Sequence, residues 1–212
     1  MPAIIEDTTN LDELIKGLEL IESATITVGL VGSVDSELLV IAGANEFGAV
    51  IRPKNSKWLT IPLLPEVRGK SPRSISGLKF IPPKKGKSAA MLAKSEGGHL
   101  TPLFLLTKKV VIPERSWLRG TFDLQSFQDA VMEEFEKGIQ DFLNGEIEAI
   151  QVLHRVGLRA VSEIKNRIAN NDPPFKELSG LTTSLKGNAK PLRDQLRLFN
   201  AINYAIDGQV AA

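Results

Sequence analysis

Apolar residues recur at steps of three and four along two long stretches, each predicting an amphipathic helix. Leu124, Phe127, Val131, Phe135, Ile139 and Phe142 mark the first, with Asp123 as its expected N-cap and Asn144-Gly145 as its stop. Ile147, Ile150, Leu153, Gly157, Val161, Ile164 and Ile168 mark the second. It should end within Asn170-Asn171-Asp172-Pro173-Pro174, because a residue before proline avoids the α region. Gly157 interrupts the stripe at a cost of ~1 kcal/mol relative to alanine, which predicts close approach of another helix. Nearer the N-terminus, Asn10 and Glu13 form a capping-box pattern ahead of a helix with Leu11, Ile15, Leu18 and Ile21 on one face. The β-branched run Thr25-Ile26-Thr27-Val28 predicts a strand within 24–31. Asp35-Ser36 reads as a turn and cap, and Leu38 to Phe47 as a helix closed by Gly48.

From 49 to 113 the pattern changes to short apolar runs at 49–52, 58–64, 78–81, 89–94 and 103–112. Loops rich in Pro, Gly and Lys separate them. The expected fold is α+β: an antiparallel sheet flanked by helices, among them the long helical pair. Residues 1–212 are expected to form one domain, with 53–87 as an extended basic hairpin insertion. A 42% apolar and 24% charged composition suits a chain that buries a core. No cysteine occurs, which removes disulfides and thiolate metal sites. The longest apolar run, 38–44, is too short to cross a bilayer. With Glu6 and Asp7 near the start, no secretory signal is expected.

Charge is distributed in blocks. Residues 1–51 hold one basic side chain against nine acidic ones, whereas 52–115 hold 14 against three. Such blocks speak of partners more than of fold. Either the basic excess is neutralised within the protein, or it meets nucleic acid or an acidic partner.

The residues offer little for catalysis. Gly69-Lys70-Ser71 and Gly86-Lys87-Ser88 resemble the end of a phosphate-binding loop, but Leu64 and Ile81 stand where its first glycine is needed. His99 and His154 are far apart and lack neighbouring nucleophiles or carboxylates at a telling spacing. Glu163-Ile164-Lys165 mimics part of a nuclease motif but falls on a predicted helix with no acidic strand before it. A non-enzymatic protein without a cofactor or metal is expected.

The stretch Leu178 to Tyr204 is the most distinctive. It carries Leu178, Ser179, Thr182, Lys186, Gly187, Lys190, Pro191, Leu192, Asp194, Leu198, Ile202 and Tyr204 in fixed order and spacing. That pattern resembles the C-terminal signature of tailed-bacteriophage tail-completion, neck and virion-morphogenesis proteins. Two weaker echoes are Ala44-Asn45-Glu46-Phe47-Gly48 and Ile112-Pro113-Glu114-Arg115-Ser116-Trp117-Leu118-Arg119. Gln195-Leu196 replaces a Thr-Gly pair of the family, and Ala201 a serine. Leucine takes a positive φ less cheaply than glycine, so the short helix carrying Leu192, Leu196 and Phe199 is expected to begin earlier here.

The resemblance implies a structural virion protein: a homo-oligomeric ring, six copies favoured, at the neck or tail end. It would join head and tail around the channel that passes genomic DNA. Its partners would be itself and other phage neck or tail proteins, with no membrane, and it would be assembled in the bacterial host cytoplasm. Candidate subunit or partner contacts are Arg115, Trp117, Arg119, Lys186, Lys190, Asp194, Arg197 and Tyr204. Arg115 and Arg119, four apart, could share a helical face. The candidate basic surface comprises Lys70, Arg73, Lys84, Lys85 and Lys87. One alternative is a sequence-independent DNA-binding protein using 52–115; another is a transient assembly factor absent from the finished particle. Duplex affinity falling by ~10³ or more between roughly 50 and 200 mM salt would mark many phosphate contacts and favour DNA binding.

Overall fold

The computed structural model describes residues 11–86, 89–186, 190–192 and 196–211, apart from the side chains of Glu96 and Lys186. Its helices and antiparallel sheets make the protein α+β. Where the sequence reads as one domain, the contacts divide it into two compact units, each assembled from separated segments.

The first unit takes residues 1–42, 116–174 and 195–212. Its helices are α1 (Leu11–Ser23), the first half of α2 (Ser36–Phe47), α3 (Arg119–Phe122), α4 (Gln125–Leu143), α5 (Ala149–Asn170) and α7 (Arg197–Ala201). Strands β1 (Ile26–Gly29), β8 (Asn203–Ile206) and β9 (Gln209–Val210) form an antiparallel sheet in the order β1-β8-β9. Ile26 faces Ile206 and Val28 faces Tyr204 across the ladder. The periodic stripe of α5 supplies the core, with Val152, Leu153, Val156, Ala160, Val161, Ile164 and Ile168 buried. Helices α4 and α5 form a hairpin across Asn144–Glu148, and the Glu148 amide donates to the Gln151 side chain at 2.8 Å. Arg155 fastens the pair, donating to Glu134 at 2.7 Å and Asp141 at 2.6 Å. Those two carboxylates, Asp141 foremost, raise the guanidinium pKa above its usual range.

Several expected boundaries move. Asp123 ends α3 as its C-cap, and α4 begins at Gln125. On α1 the packed face is Leu14, Gly17 and Ile21; of the expected stripe Leu11, Ile15, Leu18 and Ile21, the last packs inward and the other three are exposed. Phe142 occupies the space that a Cβ at Gly17 would take. Asn10, the expected cap of α1, lies outside the described residues. As expected, Asp35 caps α2, its carboxylate accepting from the Glu37 amide at 3.1 Å.

The second unit takes residues 43–115 and 175–194. The end of α2 passes through Gly48, at φ 71°, into β2 (Ala49–Ile51). A side chain there would crowd the Glu114 amide at 3.0 Å, so the tight exit needs glycine twice over. Strand β2 pairs with β7 (Val110–Ile112) in a two-stranded ribbon, with Val50 opposite Val111. A four-stranded sheet has the order β3 (Leu59–Pro62), β6 (His99–Thr107), β5 (Ala90–Glu96), β4 (Leu78–Ile81). Its centre is the β5–β6 hairpin, turned by Gly97-Gly98, both at positive φ as a two-residue turn requires. The region 53–87, expected as an extended basic hairpin insertion, instead supplies within its described residues the two outer strands, which pair with the central hairpin and not with each other. Val67, Leu103 and Phe104 form the core of this unit, with Leu64, Ile75, Leu78 and Leu92 against them. Helix α6 (Gly180–Lys186) completes it.

Candidate interaction surface

Tyr204 leads the sequence-derived contacts inward. Strand β8 lays its ring over the gap that Gly157 leaves on α5, and the side chain is 3% exposed. A Cβ on Gly157 would stand 2.3 Å from Tyr204 Cδ2. The close approach predicted at Gly157 is therefore made by an aromatic ring from a strand, not by a helix. The phenol lies 2.8 Å from His154 Nδ1, so its polar end is satisfied although the ring is buried. Tyr204 is thus a core residue, which corrects its expected role as a subunit contact.

Burial raises the Tyr204 pKa above its ordinary 10.0. In linkage terms, its stabilising contribution is complete below the unfolded-chain value near 10 and is lost as pH climbs through the folded one. Since this is the protein's single tyrosine, phenolate absorbance reports it alone. The native midpoint is expected above 10, coincident with loss of structure by circular dichroism. A midpoint at or below the ordinary value in folded protein would contradict the buried ring.

Arg115 and Trp117 are also internal. The Arg115 guanidinium donates to the carbonyls of Lys176 at 2.7 Å and Glu177 at 3.0 Å, and to Asn45 Oδ1 at 3.3 Å. It is 6% exposed, and burial pulls its pKa below the usual arginine range. Trp117 is buried, its indole donating to the Ala42 carbonyl at 3.3 Å. Arg115 precedes the helix that begins at Arg119, so the two arginines do not share a helical face.

The remaining candidates divide by position. Arg119, Lys190 and Arg197 are exposed. Arg197 bonds Asp35 at 2.7 Å and Glu37 at 3.2 Å; such exposed pairs are worth ~0–1 kcal/mol. Asp194 lies outside the described residues, as does the side chain of Lys186. The motif residues Ser179 and Thr182 cap α6: Ser179 Oγ accepts from the Thr182 amide at 3.2 Å. Leu196 takes φ 57° and α7 begins only at Arg197, so the helix starts later than expected, not earlier. Lys70, Arg73, Lys84 and Lys85 are exposed and enter no ion pair among the described residues; Lys87 lies outside them.

The folded units sharpen the charge pattern. In the first, 8 Lys and Arg stand against 19 Asp and Glu, a net −11. In the second, 18 stand against 6, a net +12. Two exposed apolar surfaces accompany these charges: Leu11, Ile15 and Leu18 on α1, and Phe47, Val50 and Val111 around the β2–β7 ribbon. The sequence marks Leu11, Ile15 and Leu18 as one face of α1, but apolar periodicity does not say whether a face is covered, and it does not single out the ribbon patch.

Among the described residues no three or more His, Cys, Asp or Glu gather as metal ligands, and no helix is long and apolar enough to cross a membrane. Comparison with protein-family models, curated proteins and solved structures finds no match.

Proposed function

We propose that this protein is a non-enzymatic structural component of a tailed-phage virion, a ring at the tail end or neck that joins head to tail around the DNA channel. It assembles in the host cytoplasm with other neck or tail proteins, six copies being the favoured number. The observation that carries the reading is the backbone of Leu196. It occupies the left-handed region at the motif position where the resembled family carries glycine. Leucine enters that region at a cost of roughly 1–2 kcal/mol, so the surrounding structure imposes the turn even without glycine. Further support comes from Ser179 and Thr182, motif residues that cap α6, and from Ile202 and Tyr204, motif residues buried in the first unit.

Loss of this gene is expected to leave filled heads and finished tails lying unjoined in electron micrographs of lysates, with DNA replication intact. Joined virions from a clean deletion would overturn the proposal. The exposed cations Lys70, Arg73, Lys84 and Lys85 also suit duplex DNA as a second reading, which the salt response given above separates from the first.

A further inference from the structure

We infer that α1 of one copy docks on the β2–β7 ribbon of the next, in a head-to-tail contact. The inference rests on the ring-forming reading and names the surfaces that would build it. Helix α1 buries none of its residues fully, and its stripe Leu11, Ile15 and Leu18 is 62%, 46% and 41% exposed. Spacings of four and three align these residues on one seam, the form in which an amphipathic helix is presented to a groove. Asp12, Glu13, Glu19 and Glu22 accompany the seam against a single Lys16.

The ribbon offers the complement. Val50 and Val111 are directly opposed and both 58% exposed, and Phe47, just before β2, is 65% exposed. Arg52 and Lys109, both exposed, follow and precede the paired residues Ile51 and Val110, with exposed Lys108 beside them. Glu114, beyond the other end, is the acidic residue nearest in sequence to β7. Apolar patches of this kind commonly mark interaction sites. Here one is rimmed by acid on a unit of net −11, the other by base on a unit of net +12. A second copy of the same chain satisfies both at once. Because the two patches differ, the contact is heterologous and propagates until a ring closes.

The test uses the full-length chain and native mass spectrometry over a concentration series. Ile15→Asp breaks the helix face and Val111→Asp the ribbon face; both positions are exposed, so both variants should fold, and Leu18→Asp and Val50→Asp serve as replacements. Wild type is expected to form assemblies that weaken with salt as the rim charges are screened. Each variant alone is expected to be monomeric. Mixed in equal amounts, they are expected to give a 1:1 dimer and nothing larger, since one intact face of each kind remains. Wild-type-like assembly by a single folded variant, or a mixture that stays monomeric, would overturn the inference. So would a wild type that is monomeric at every concentration. That last result beside unjoined heads and tails in the deletion would sink this interface and leave the proposed function standing; joined virions would sink the function itself.

Discussion

Gly157→Ala is expected to destabilise the protein, although alanine is the better helix former. The new Cβ would lie 2.3 Å from Tyr204 Cδ2 and 2.7 Å from two further ring atoms. Tyr204 cannot swing clear into solvent, being 3% exposed and held at its hydroxyl by His154. Overpacking of this kind costs typically 1–3 kcal/mol, and a Cβ fixed to backbone against a buried ring belongs at the upper end. The helical gain of ~1 kcal/mol does not offset it. A net loss of about 2 kcal/mol should lower the melting temperature by about 4–8 °C for a chain of this size. Gly43→Ala, on α2, supplies the opposite sign: nothing lies within 4 Å of its added Cβ, so a gain of up to ~1 kcal/mol is expected. Thermal melts of both variants check the pair. Equal or higher stability in Gly157→Ala would show that the ring does not rest on this glycine.

Arg115→Ala should be the more damaging change. Removing the guanidinium, itself buried, takes the donor from the Lys176 and Glu177 carbonyls, which belong to exposed residues in part-buried hydrogen bonds. Two hydrogen bonds from a charged donor are worth roughly 3–6 kcal/mol together, and water reaching the exposed carbonyls offsets part of that, leaving a loss of about 2–4 kcal/mol. Arg115→Lys keeps the charge but lacks the planar fork that serves three acceptors, and should fall between wild type and alanine. Urea unfolding followed by circular dichroism measures both. An unchanged midpoint for Arg115→Ala would mean the carbonyls find other partners and that Arg115 was rightly read as a surface contact.

What the sequence revealed depends on how local the cause is. Helices α4 and α5 were legible because their apolar steps and their stops at Asn144-Gly145 and before Pro173 are properties of adjacent residues. Gly48 and Asp35 were legible for the same reason. Helix α1 was harder, since Leu11, Leu14, Ile15, Leu18, Leu20 and Ile21 place apolar atoms around much of its circumference. Which part packs depends on Phe142 and Ala149, more than a hundred residues away. The two units escaped notice because each is stitched from distant segments and no flexible linker separates them in sequence. Arg115 and Tyr204 were misread through a sound general expectation. Arginine is seldom fully buried, and the partner that fills the notch at Gly157 is invisible until β8 is paired with β1.

That pairing sets a timetable for the ribosome. The Thr25 amide donates to the Asp207 carboxylate, 182 residues further along, and β1 reaches only β8 in its sheet. At ~5–20 residues per second, the edge of β1 emerges roughly 10–40 s before the strand that covers it. Once Gly157 has followed, its notch also stands empty for the roughly 2–9 s that separate it from Tyr204, and the nascent first unit then carries both an open strand and an unfilled groove. Strand β8 closes both, so this unit cannot finish folding until residue 206 has been made.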